Sequence, residues 1–85
     1  MKVNFSTFRL YLSISKKEYK DMDIREVLAD MLYQNSSGIA GLELARKIYN
    51  SDGEIDLNEK EVLLIKSLYP SCKPVFIDSI NEVLK

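Results

Sequence analysis

Histidine and tryptophan are absent from this 85-residue chain, and cysteine occurs once, as Cys72. Without imidazole, nucleophile–histidine pairs and histidine-based metal centres are excluded. A lone thiol cannot close an internal disulfide, so no oxidised framework holds the fold. Glycine (three) and proline (two) are scarce, so each one marks a turn or a break. An excess of one charge is missing as well. Twelve basic and 13 acidic residues leave a net charge of -1, which excludes a polybasic tail or an acidic nucleic-acid mimic as a whole-chain strategy. No apolar run approaches the roughly 20 residues that span a bilayer. Residues 1–6 contain no apolar signal core or small-residue cleavage site. The expectation is a cytoplasmic protein with no membrane partner.

What remains is ordinary for a globular chain: 46% hydrophobic and 29% charged. The length predicts a single domain over residues 1–85. A domain of this size has a marginal core, and self-association as a homodimer is one way to add to it.

Phe8, Leu10, Leu12 and Ile14 alternate with Arg9, Tyr11 and Ser13, the period of a half-buried strand over 8–14. Val3 and Phe5 alternate on odd numbers, so the phase changes across Ser6-Thr7 and predicts a turn or bulge there. Ser15-Lys16-Lys17-Glu18 reads as a capping box opening a helix at Lys16, and Asp23-Ile24-Arg25-Glu26 as a second. Residues 16–34 are then one bent helix or two pieces meeting near Asp21–Asp23, with Ile24, Val27, Leu28, Met31 and Leu32 inward. After the breaker at 35–38, helix resumes near Ile39, with Leu42, Ala45, Ile48 and Tyr49 inward. Asp52-Gly53 is turn chemistry, and Glu54–Leu57 a short strand. Asn58-Glu59-Lys60-Glu61 is a third capping box, opening a helix to about Tyr69 that is apolar all round at 62–65 and predicted to be the most buried. Pro74 suits the first turn of a last helix, with Phe76, Ile77, Ile80, Val83 and Leu84 inward.

The predicted fold class is α+β: a mostly helical small domain of about four helices with a minor sheet from strands near 8–14 and 54–57. The alternative is all-α. Residues 12–19 also align with 55–62, so a strand-helix-helix internal repeat would pair the two strands. The core is expected to include Leu10, Leu12, Leu28, Leu32, Ala45, Ile48, Val62, Ile65, Leu68, Phe76, Ile80 and Leu84.

Residues 48–59 resemble a degenerate calcium loop, with Asn50 and Asp52 as ligands, Gly53 at the sharp turn and Glu59 as the bidentate acid. Ile48 stands where the first ligand belongs, and a helix stop, turn, strand and capping box explain the same residues, so no metal is assigned. Basic residues gather early in the chain. Arg9, Lys16, Lys17 and Lys20, with Tyr11, form a candidate partner-binding set that could also hold phosphates or nucleic acid. The plainer reading is a solvated face. Cys72 lacks a base, no carboxylate pair is arranged about a pocket, and no catalytic residue or cofactor is assigned. Gly38-Ile39-Ala40-Gly41 could approach an anion at a helix start, but reads more simply as a tight turn with close helix packing.

The stretch Leu44-Ala45-Arg46-Lys47-Ile48-Tyr49-Asn50-Ser51-Asp52-Gly53-Glu54-Ile55-Asp56-Leu57, continuing through residues 59–66 and from Pro74-Val75-Phe76-Ile77 to Val83-Leu84, resembles small accessory proteins of tailed phages and prophages. The resemblance implies a short, non-enzymatic protein acting on the host, and carries over no site residues. Two functional expectations follow. One is a module that binds and modulates a host or viral protein through its helices or the edge of the strand at 2–14. The other is a nucleotide- or nucleic-acid-binding protein that sequesters its ligand against host defence.

Overall fold

A computed structural model describes residues 1–84. Strands β1 (Lys2–Asn4), β2 (Phe8–Tyr11) and β3 (Tyr19–Met22) precede helices α1 (Arg25–Asn35) and α2 (Gly38–Tyr49). Strand β4 (Glu54–Asp56), helix α3 (Glu59–Lys66), a 3₁₀ turn (Tyr69–Ser71) and helix α4 (Pro74–Val83) complete the chain. The protein is a small α+β domain, dominated by its helices.

The strands form two separate antiparallel pairs. β1 pairs with β4, setting Val3 opposite Ile55. β2 pairs with β3, setting Arg9 opposite Asp21 and Tyr11 opposite Tyr19. The expected pairing of residues 8–14 with 54–57 is therefore corrected. Strands exist in both places, but each takes another partner. The internal repeat fails for the same reason, because residues 15–18 turn a hairpin whereas 58–61 open a helix.

That hairpin corrects the helix expected from Lys16. Ser13 O accepts from Lys16 N at 3.0 Å, and Leu12 N donates to Glu18 O at 2.8 Å. Lys16 takes a positive φ of 61°, the left-handed step that lets a short loop reverse direction. Residues 19–22 carry no apolar stripe of helical period to reward a helix. Paired with β2, they gain cross-strand contacts instead. The strand also ends at Tyr11, so Leu12 and Ile14, expected inside, are 49% and 99% exposed at the hairpin tip.

The phase change at Ser6-Thr7 is present and has a cause. The Asn4 side-chain oxygen accepts from the backbone N–H of Ser6 at 3.0 Å and of Thr7 at 3.3 Å. This Asx turn lets Val3 and Phe5 before it, and Phe8 after it, all enter the core.

α1 starts at Arg25. The capping box expected at Asp23–Glu26 is not formed: Ile24 is the N-cap without a side-chain cap bond, and Asp23 Oδ1 accepts instead from the Arg25 N–H at 3.0 Å. Ile24, Leu28, Ala29 and Leu32 face inward, and Val27 is exposed. α2 runs antiparallel to α1. Gly41 is buried at the crossing, where an added Cβ would collide with the Ser36 hydroxyl and lie 2.8 Å from its Cβ. Close packing accounts for Gly41 alone; Gly38 has open space around it and takes a positive φ of 78° at the turn into α2. The inner face of α2 is Leu44, Ala45 and Ile48, while Tyr49, expected inside, points out.

α3 carries the expected capping box: Asn58 Oδ1 accepts from Glu61 N at 2.9 Å and Glu61 Oε1 from Asn58 N at 2.9 Å. It is not the most buried helix. Of its residues only Ile65 is buried, and Leu63 is exposed. Its two turns lie at the rim of the domain, so an apolar run around the helix leaves one side in water. α4 packs on β2. Phe8 meets Phe76 at 6.0 Å between ring centres, and the fully buried Ser79 accepts from Tyr11 N at 2.9 Å while donating to Val75 O at 2.7 Å. Of the expected core, Leu12 is misplaced, and Leu10, Val62 and Phe76 are half-buried against it. Val3, Phe5, Leu44 and Leu57 belong to it besides. Among the described residues, no helix is long and apolar enough to cross a membrane.

Candidate functional site

The hairpin gathers all five residues of the candidate partner-binding set. Arg9 and Tyr11 lie on β2, Lys16 and Lys17 in its loop, and Lys20 on β3. Strand alternation then divides them. Arg9, Tyr11, Tyr19 and Asp21 share the outer face, while Phe8, Leu10, Lys20 and Met22 share the other, with Phe8 at its buried end.

The outer face is a continuous polar and aromatic strip. Arg9 Nε lies 3.3 Å from Asp21 Oδ1, and its guanidinium carbon lies 3.9 Å from the centre of the Tyr19 ring. Tyr19 meets Tyr11 edge to face at 6.5 Å. Lys16 Nζ stands 5.5 Å from the Tyr11 ring centre and ties the loop to α4, at 2.5 Å from Glu82 and 3.9 Å from Asp78. The hydrogen bond to Asp21 raises the Arg9 pKa. That to Glu82, with the charges of Asp78 and Glu82, raises the Lys16 pKa. Both cations are thus engaged by carboxylates of the same molecule. Lys17 and Lys20 are exposed and enter no ion pair among the described residues.

The backbone of β3 adds what the side chains do not. Leu12 and Glu18 are a hydrogen-bonded pair. Alternation along the antiparallel ladder therefore makes Leu10–Lys20 a hydrogen-bonded pair, and Arg9–Asp21 and Tyr11–Tyr19 non-hydrogen-bonded pairs. The N–H and C=O groups of Tyr19 and Asp21 consequently point away from β2. On the β2 side the matching outward group, Tyr11 N, is taken by Ser79. On the β3 side no partner for these groups is present among the described residues. β3 is exposed from Tyr19 to Asp21, so it is an open sheet edge. The strand edge envisaged within residues 2–14 is closed at Tyr11.

On the opposite, β2 side, the hairpin tip and the start of α4 enclose a shallow groove of about 310 Å³, lined by Tyr11, Ser13, Ile14, Pro74, Val75 and Asp78. The exposed Leu12 and Ile14 make the tip apolar. Nothing in the Ser15-Lys16-Lys17-Glu18 pattern announced an edge strand. The one available signal was that Tyr19 and Met22 fit no helical face.

The other candidates are placed as follows. Across residues 48–59 lie the end of α2, strand β4 and the α3 cap. Ile48 is fully buried. The Asn50 amide nitrogen donates to Arg46 O at 2.9 Å, Asp52 is exposed, and Glu59 stands exposed in the first turn of α3 beyond β4. Among the described residues, no group of three or more His, Cys, Asp or Glu is arranged to hold a metal ion. The Cys72 thiol lies 3.2 Å from Leu68 O, to which it donates, and burial raises its pKa. It holds its proton and is a poor nucleophile in this setting.

Comparison of the chain with protein-family models, curated proteins and solved structures found no match.

Proposed function

We propose that the protein binds another protein along the open edge and outer face of the β2–β3 hairpin, as a non-catalytic accessory module that modulates its partner. The observation that carries this reading is the edge of β3. Two residues, Tyr19 and Asp21, present backbone groups without a partner among the described residues on an exposed strand, which is the template for adding a partner's strand. Tyr19 and Arg9 beside it are residue types enriched at interface centres, and the apolar tip at Leu12 and Ile14 extends the same surface. The likeness of residues 44–84 to small phage and prophage proteins supports a host or viral protein as the partner, met in the host cytoplasm. The nucleotide- or nucleic-acid-binding alternative has less to draw on, because Arg9 and Lys16 already face carboxylates.

Asp21 separates edge pairing from side-chain contact. Its N–H points out of the sheet, so Asp21→Pro keeps the β2–β3 hydrogen bonds but blocks an incoming strand. Asp21→Ala removes the carboxylate and leaves the edge open. Native mass spectrometry of gently purified protein is expected to find a discrete protein adduct with the wild type and with Asp21→Ala, and to lose it with Asp21→Pro. An adduct retained by Asp21→Pro, or a small-molecule mass in its place, would overturn the reading.

A further inference from the structure

A second surface lies apart from the hairpin. α1 and α2 leave between them an outward-facing groove of about 240 Å³, lined by Ala29, Asp30 and Tyr33 on one wall and Leu42, Ala45, Arg46 and Tyr49 on the other. Its floor is two alanines, both buried, and small floor residues let another helix come close. Its rims are Tyr33 and Tyr49, 71% and 58% exposed. Tyrosines left this exposed beside an apolar floor are typical of a surface that a partner covers.

The charges identify the partner. Asp30 stands on the α1 wall and Arg46 on the α2 wall. Neither enters an ion pair among the described residues. The two helices are in register between a contact of Ser36 with Gly41 at one end and of Arg25 with the Ser51 carbonyl at the other. That register sets Asp30 level with Arg46. A twofold axis running along the groove would lay α1 of a second copy over α2 of the first at the same level. Asp30 of each copy would then face Arg46 of the other. A twofold axis across the groove would instead lay α1 over α1 and bring like charges together. The surface is therefore self-complementary in one arrangement only.

We propose that the α1–α2 groove is a homodimer interface, with α1 of each copy seated over α2 of the other and two reciprocal Asp30–Arg46 pairs fixing the orientation.

The test is a charge swap at these two positions, with circular dichroism confirming that each variant folds. Sedimentation is expected to give twice 9.8 kDa for the wild type. Asp30→Arg sets two guanidinium groups against each other at each contact, and Arg46→Asp sets two carboxylates against each other, so each variant alone is expected to be monomeric. Mixing the two single variants keeps the native Asp30–Arg46 pair at one contact and sets the guanidinium introduced at position 30 against the carboxylate introduced at position 46 at the other. Both contacts then carry opposite charges, so the mixture is expected to form a heterodimer, and a mixture that stays monomeric would overturn the proposal. The double variant Asp30→Arg with Arg46→Asp restores opposite charges at both contacts and is expected to recover the dimer. A monomeric wild type, single variants that remain dimeric, or a double variant that stays monomeric would each overturn the proposal.

Discussion

Lys16 illustrates how the role of a charge depends on its surroundings. In the sequence it reads as part of a free basic cluster. In the fold it occupies the positive-φ step of the hairpin, and its ammonium reaches Glu82 and Asp78 on α4. The identity of a side chain was legible, but its partner, 66 residues away along the chain, was not. Asp23 is another such case. Its carboxylate accepts from the Arg25 guanidinium and the Arg25 N–H, and these bonds lower its pKa from 3.8 to about 2. A carboxyl held lower in the folded chain than in the unfolded one contributes stability above its ordinary pKa. That contribution is lost as pH falls from 3.8 towards about 2. An NMR titration of the Asp23 carboxyl is expected to give a midpoint near 2, and an ordinary carboxylate midpoint would show that the Asp23–Arg25 bonds are not formed.

At the scale of elements, patterns tied to local hydrogen bonds were read correctly and patterns needing distant strands were not. Asn58 and Glu61 cap α3 as expected because the whole motif closes within four residues. Ser15 and Glu18 show the same spacing, yet pairing with β2 outweighs a cap that has no apolar stripe behind it. Strand partners are set by contacts far apart in sequence, so the choice of β1 for β4 had no local cue. The phase change at Ser6-Thr7 did have one, because alternation records which face is buried. The docking of β2 on α4 joins the Phe8–Phe76 contact to one hydroxyl bond, that of Ser79. Ser79→Ala leaves Tyr11 N without its partner in a part-buried seam, a loss of about 1–3 kcal/mol. Urea denaturation is expected to show a lower midpoint with an unchanged slope. An unshifted midpoint would mean that water replaces the hydroxyl without loss.

The whole molecule measures 38 × 27 × 21 Å, and its two candidate surfaces use separate residues. The α1–α2 groove suits a second copy, and the β2–β3 hairpin presents an open edge to a different protein. If both proposals hold, dimerisation would place two hairpins in one assembly and strengthen binding to a repeated or dimeric partner. The basic residues of the hairpin were legible as a group in the sequence. The feature on which the proposed binding rests, the outward backbone of Tyr19 and Asp21, appears only once β3 is known to be a strand.

Amide hydrogen exchange at Tyr19 and Asp21, in the free protein and in the complex recovered from the encoding cells, tests this edge directly. Both amides should exchange quickly in the free protein and become protected in the complex, while the Leu12 amide, already bonded to Glu18, changes little. Amides at Tyr19 and Asp21 that exchange equally fast in the complex would contradict the binding of a partner along β3.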